Sequence, residues 1–192
     1  MGAHRQPWYS RGIRQAVLRA AADNDWKSRY RIYVGQGDGE LGGTYSEGLA
    51  RSTFCLVAPG DGWSSRAEDA VLHGCIPVVV MDRVHAVFES VLNWDLFSVR
   101  VAEAEVERLP EILLAIPEDK VKRMQARLSK VWHRFAYASG GLLRAGLERV
   151  FEQKLYRQRV PDAHPLLRDD ALATILQWLH SKAQRGRQSH MA

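Results

Sequence analysis

Apolar residues recur at helical spacing from Ser10 to Ala22, at Ile13, Val17, Ala20 and Ala21, and Asp23-Asn24-Asp25 closes the segment. The pattern then changes period. Tyr30-Arg-Ile-Tyr-Val34 alternates and is β-rich, which predicts a strand, and a glycine-rich loop over 35–43 leads to a short helix around Glu47 to Arg51. Thr53 to Ala58 is almost wholly apolar, as a strand covered on both faces should be. Ser65 to His73 reads as a helix ended by Gly74, Ile76 to Val80 as a further strand, and Phe97 to Val101 as a fourth. Beyond it the periodicity is helical, over about 103–115, 118–137, 140–156 and 169–183. Pro110 breaks the first of these segments, and Arg157 to Arg168, with Pro161 and Pro165, reads as a linker.

Strands alternating with helices imply right-handed crossovers and a parallel sheet, hence a doubly wound, Rossmann-like α/β domain followed by C-terminal helices. Such a domain ordinarily opens on a strand. Here a helix comes first, so the sheet is expected to lack its first strand.

With 192 residues, 46% of them hydrophobic, the chain has enough apolar surface for a sizeable core. Its longest apolar runs fall far short of the roughly 20 residues that span a bilayer. The first residues show no apolar h-region, so no signal peptide is expected, and Gln6 stands where a myristoylation start needs Ser or Thr. The net charge of +5 does not by itself mark a nucleic-acid binder, because acidic and basic residues are interspersed. Lys182, Arg185 and Arg187 cluster after the last helical pattern and read as a solvated tail. Cys55 and Cys75 both fall in apolar, strand-like segments and are expected to be buried free thiols, which leaves the compartment unread.

Gly35-x-Gly37-x-Gly39 follows a predicted strand, but Glu40 occupies the place of the third glycine of a dinucleotide fingerprint and no helix begins within the motif. A surface loop is the simpler reading. Pro59 to Arg66 is more specific. Ser65-Arg-Ala-Glu68 has the pattern of a capping box, Gly60 and Gly62 let the backbone approach a ligand, and first-turn amides favour negative charge. Arg66 adds a planar fork of donors suited to phosphate, and Asp69 lies on the same helical face, where it is suited to sugar hydroxyls. A surface ion pair between Arg66 and Asp69 fits the same spacing. The place of the loop, directly after a predicted strand of an open α/β sheet, favours the ligand. Asp82 lies on the same edge, lining the pocket or starting a turn.

His73, His85 and His133 lack metal-ligand spacing, so no metal site is expected, and Ser64 and Ser65 lie outside any nucleophile elbow. Trp94, Phe97 and Trp132 read as packing residues.

Taken in order, Tyr9-Ser-x-Gly-Ile-Arg14, Arg51-Ser-x-Phe-Cys-Leu56, Pro59-Gly-Asp61, Ser64-Ser-Arg66 with Asp69-Ala70, Gly74-Cys-Ile-Pro-Val78 and Val91-Leu-x-Trp94-x-x-Phe-Ser98 resemble the exostosin-like glycosyltransferases, especially plant and green-algal members. The Leu109 to Ile116 helix and Met124 also fit. The likeness covers residues 8–138 as a nucleotide-sugar-binding domain; residues 139–192 are then C-terminal helices and a basic tail, of which Asp170 to Leu179 resembles the family's closing helix.

The resemblance implies an inverting, metal-independent enzyme of the two-domain GT-B type. It would move sugar from a nucleotide sugar, expected to be a UDP-sugar, to a glycan or glycoprotein acceptor in the Golgi lumen, with no cofactor. This chain resembles the donor-binding half, without the acceptor-side domain and membrane anchor. In that scheme Arg66 meets the diphosphate, Asp69 lies near the ribose, Gly60, Ser64, Ser65 and the loop amides cradle phosphate, and Arg14 faces the cleft. The catalytic base is not identified. The rival reading is a non-catalytic module that holds a nucleotide or partner.

Overall fold

The computed structural model describes residues 8–35, 43–60, 64–155 and 164–189. The chain forms two compact units, Met1–Val87 with Asn93–Ser129, and Phe88–Leu92 with Lys130–Ala192.

The first unit is built on a three-stranded parallel sheet, β1 (Phe54–Val57), β2 (Ile76–Val79) and β3 (Val99–Arg100), in sequential order. Phe54 pairs with Ile76 and Val57 with Val79, while Val78 pairs with Val99. Central β2 is buried along its whole length, which is why its sequence shows no alternation, whereas edge strand β1 alternates between half-buried and buried positions. Ala58, Val78, Val80 and Val101 make one apolar surface with α1 (Ile13–Asp23), α2 (Trp26–Tyr30), the 3-10 turn Glu103–Arg108 and α5 (Leu109–Leu114), through Ile13, Val17, Ala20, Trp26, Val106 and Leu109. A second cluster joins Cys55 and Cys75 to Leu49 of α3 (Tyr45–Arg51) and Ala70 of α4 (Arg66–Leu72). Helices thus supply both clusters, as the alternation of strands and helices implied. Trp94 and Phe97 are core residues, each about 1% exposed, with the Trp94 indole donating to the Val87 carbonyl at 2.9 Å.

The helix predicted over Ser10 to Ala22 begins as a 3-10 turn, Tyr9–Gly12, with Ser10, Arg11 and Gly12 all at positive φ, and continues as α1. The strand predicted over Tyr30 to Val34 does not form. Tyr30 ends α2, Arg31 turns into the left-handed region at φ 57, and the Ile32 amide donates back to the Trp26 carbonyl at 3.2 Å. The alternation in the sequence is still real, because Ile32 and Val34 pack half-buried against the core while Arg31 and Tyr33 face water; among the described residues the segment joins no ladder. The glycine motif at Gly37 and Gly39 lies outside the described residues.

The two cysteines form a disulfide rather than free thiols. The reason lies in how α4 ends. Gly74 adopts φ 71, its amide donates to the Val71 carbonyl at 3.1 Å, and the Cys75 amide reaches the Ala70 carbonyl at 2.9 Å, the paired bonds of a Schellman turn. The Ile76 amide then donates to the Thr53 carbonyl at 2.9 Å, starting the β1–β2 ladder and setting Cys75 beside Cys55 with 5.8 Å between Cα atoms.

Helix α6 covers Glu118–Val131. Its pairs, Glu118 with Lys122 and Asp119 with Arg123, lie in solvent and contribute little to stability. Burial of Met124 and Leu128, worth about 1.5–3 kcal/mol apiece, therefore decides how the helix is held. It stops short of the predicted 118–137, giving way to a 3-10 turn at Trp132–Phe135 because Ala136 is already extended.

The second unit contains α7 (Gly140–Leu155), α8 (Pro165–Arg168) and α9 (Ala171–Ser189). The end of the predicted linker is helical, since Pro165 has the fixed φ that suits a first helical position and the His164 ring accepts from the Leu166 amide. Gly146 lets α7 approach Leu167 of α8 where a Cβ would collide. Arg134 ties the unit together, donating to Asp169 at 2.9 Å, to the Thr174 hydroxyl at 2.6 Å and to Gln177. His133 is buried with its ring nitrogens on the Asp169 and Lys130 carbonyls, at 2.6 and 3.0 Å. Helix α9 continues through Lys182, Arg185 and Arg187, so the basic cluster is helical; the Lys182 ammonium lies 4.2 Å from the centre of the Trp178 ring.

Candidate functional site

The site lies at the carboxyl end of β1. There Ala58, Pro59 and Gly60 leave the sheet, and α4 begins at Arg66. Residues 61–63, with the amides of Asp61 and Gly62, fall outside the described residues.

The expected capping box does not form at Ser65. Its backbone is already helical, at φ −62 and ψ −19, so its hydroxyl makes no cap bond, and the turn starts one residue earlier with the Ala67 amide donating to the Ser64 carbonyl at 3.1 Å. Ser65 is exposed, while Ser64 is buried with its hydroxyl unpartnered among the described residues. Glu68 points Oε2 into a buried position where, among the described residues, it has no partner, and burial raises its pKa, with Asp69 adding to the effect. A complete capping box stands instead on α3. The Thr44 hydroxyl accepts from the Glu47 amide at 3.3 Å, and Glu47 Oε2 accepts from the Thr44 amide at 2.8 Å and from the Thr44 hydroxyl at 3.1 Å; the two bonds to the carboxylate, the backbone one first, lower the Glu47 pKa.

Charged side chains from two distant parts of the chain meet here, Arg14 of α1 and Arg66 and Asp69 of α4. Arg14, in the first turn of α1, donates from Nη2 to the Ala58 carbonyl at 3.0 Å and from Nε to the Pro59 carbonyl at 3.2 Å, fastening the chain where it leaves β1. Its guanidinium also lies 5.8 Å from the Tyr9 ring centre. Burial lowers the Arg14 pKa, Tyr9 and Tyr45 oppose that, and Arg66 adds to it through like-charge repulsion, which marks the two arginines as neighbours. Arg66 sits over the Tyr45 ring, 5.4 Å from its centre, and the Tyr45 hydroxyl donates to Asp69 Oδ2 at 3.0 Å. Burial raises the Tyr45 pKa, Arg66 opposes that and the bond to Asp69 adds to it. No ion pair joins Arg66 to Asp69 among the described residues; Tyr45 engages both instead.

Asp82 belongs to a separate network on the same edge. Its amide donates to Glu103 Oε1 at 2.7 Å, its Oδ2 accepts from the Glu103 amide at 3.3 Å, and Arg11 bridges the Asp82 carbonyl and the Glu103 carboxylate at 2.8 and 3.0 Å. These bonds hold the 3-10 turn before α1 against the turn after β3. Among the described residues no three metal-ligating side chains are gathered.

Two arginines beside an acid, at the end of a parallel strand, offer chemistry that can meet phosphate oxygens and hydroxyl groups. The family model of the exostosin GT47 domain matches residues 1–116 of the 192, which takes in this whole cluster. The chain belongs to the exostosin GT47 family. Within that family it is similar to a probable glucuronosyltransferase of Oryza sativa subsp. japonica, 37% identical over 64% of this chain and 27% of the relative. A probable glycosyltransferase of Arabidopsis thaliana is 33% identical over 62% of this chain and 26% of its own length. A probable beta-1,4-xylosyltransferase of the same plant is 35% identical over 64% and 28% respectively. This exostosin GT47 chain therefore spans about a quarter of the length of the curated relatives it matches. No helix of the described residues is long and apolar enough to cross a membrane.

The exostosin GT47 cluster contains two residues that the sequence pattern had not singled out for the site, Tyr45 and Tyr9. An aromatic residue at the first turn of a short helix carries no local signal of what it faces. Only the packing of α3 beside α4 gives Tyr45 its partners.

Proposed function

We propose that this chain is the donor-binding part of a glycosyltransferase of GT-B architecture, which moves a sugar from a nucleotide sugar to a glycan acceptor. The observation that carries the reading is the convergence of Arg14, Arg66 and Asp69 at the end of β1 within the family-matched region. The donor is a UDP-sugar, and the relatives' names point to glucuronic acid or xylose as its sugar.

Transfer proceeds by direct displacement with inversion. The acceptor hydroxyl attacks the anomeric carbon and passes its proton to a general base as the bond from that carbon to the diphosphate oxygen breaks, and negative charge grows on the departing diphosphate. Arg66 meets that charge where it develops, which lowers the barrier more than a contact equally strong in the ground state would. Arg14 has committed donors to the Ala58 and Pro59 carbonyls, so its part is to hold the strand end and add positive potential. Asp69 takes the ribose hydroxyls. The disulfide between β1 and the residue just before β2 suits an oxidising compartment and supports a place in the Golgi lumen.

Calorimetric titration with uridine diphosphate, beside the Arg66→Ala variant, tests the reading. Binding weakened at least about tenfold in the variant is expected, in line with loss of a charge-assisted phosphate contact. Equal binding by both proteins, or none by the folded wild-type chain, would overturn it.

A further inference from the structure

Arg66 and Asp69 stand three residues apart on α4, the spacing at which opposite charges ordinarily meet on a helix surface. Here a third group intervenes. Tyr45 is the first residue of α3, held by the Thr44–Glu47 capping box, and it engages both partners at once. Its ring lies 5.4 Å from the Arg66 guanidinium carbon, and its hydroxyl donates to Asp69 Oδ2 at 3.0 Å.

Resting on the donor-site reading above, we infer that Tyr45 is a positioning residue that keeps Arg66 and Asp69 apart, so that one stays available to the diphosphate and the other to the ribose. The chemistry of each contact suits this role. A ring face attracts a guanidinium through its quadrupole, without supplying a negative charge that would compete with phosphate. A phenol donating to one carboxylate oxygen leaves the other oxygen as an acceptor for a sugar hydroxyl and leaves the carboxylate charged. A direct Arg66–Asp69 bond would do the opposite, setting each group's charge against the other. A phenol is protonated at neutral pH, as the contact requires. Tyr45 itself touches no reacting atom in this scheme. It acts through its two partners.

The two contacts are separable by substitution. Tyr45→Phe keeps the ring under Arg66 and removes the bond to Asp69; Tyr45→Leu removes both. The experiment titrates the full chain and both variants by calorimetry with uridine diphosphate and, separately, inorganic pyrophosphate, with melting temperatures measured alongside. Tyr45→Phe is expected to bind uridine diphosphate about five- to tenfold more weakly and pyrophosphate as wild type does. Tyr45→Leu should weaken both ligands, with both variants still folded. If Tyr45→Phe binds uridine diphosphate like wild type, or loses the two ligands equally, the positioning role is wrong. Failure of the donor-site reading looks different, because wild type and Arg66→Ala would then bind uridine diphosphate equally or not at all.

Discussion

Cys55 and Cys75 are joined by a disulfide across 20 residues of chain, closing into one covalent loop the segment that carries Gly60, Ser64, Ser65, Arg66 and Asp69. Both cysteines are buried, at 6% and 0% exposure, beneath Leu49 and Ala70. Helix α4 is short, and its C-terminal turn runs straight into Cys75, so the crosslink anchors the helix bearing Arg66 to strand β1. Closing a loop of this size removes unfolded-state entropy worth about 3 kcal/mol. Replacing both cysteines by alanine should lower the unfolding free energy from urea titration by about that amount. An unchanged midpoint would show that the crosslink contributes no stability.

Arg14 fastens the same segment from the other side. Its two bonds to the Ala58 and Pro59 carbonyls come from a charged, partly buried donor, a class worth about 1.5–3 kcal/mol per bond before discount for exposure. Arg14→Met, which keeps much of the apolar stem, should cost about 2 kcal/mol in thermal or urea unfolding. Arg14→Lys should recover less than half of that, because an ammonium is a single point charge and cannot reproduce the fork. Full recovery by lysine would mean that charge alone is what matters there.

Glu68 makes the stability of the first unit depend on pH in an uncommon direction. Burial holds its carboxyl above the ordinary value of 4.5, so the unfolded chain ionises first as pH rises. Between the ordinary value and the raised one the folded state holds the extra proton, and stability falls with rising pH across that window. Glu68→Gln should therefore raise the melting temperature at pH 7, with the gain shrinking as pH is lowered to 4.5 and below. A gain that persists at pH 4 would assign the effect to packing rather than to charge.

Asp170 behaves in the opposite sense. One carboxylate oxygen accepts from the Ala173 amide at 3.0 Å, capping α9, and the other accepts from the Ala138 amide at 3.1 Å. These bonds, that to Ala173 first, depress its pKa below the ordinary 3.8. The stabilisation is present above 3.8 and is lost as pH falls through the depressed value. Asp170→Ala should cost about 1 kcal/mol at neutral pH, in the range of a lost helix cap, and should speed hydrogen exchange at the Ala173 amide. Asp170→Asn keeps an acceptor at the cap and should retain most of the protection without the acid sensitivity.

Local pattern alone determined several features of this protein. The apolar runs 53–58 and 76–80 announced β1 and β2, Gly74 marked the end of α4, and the ordered motifs from Tyr9 to Ser98 pointed to the family that the chain belongs to. Those features depend on interactions within a few residues, or on residue order, and both are written along the chain. The tertiary structure decided the rest. Tyr30 to Val34 has a strand's alternation but no ladder, because pairing needs a neighbouring backbone and α2 ends by turning through Arg31. Ser65 has a cap's composition but a helical backbone, since the path of the chain out of β1 sets where the first turn begins. The pairing of Cys55 with Cys75 follows from the turn that ends α4 and brings Cys75 alongside β1 just before β2 begins, and the contact of Tyr45 with Arg66 and Asp69 from the packing of α3 beside α4. Each joins residues about twenty positions apart, a distance over which periodicity and spacing carry no information about which side chains meet.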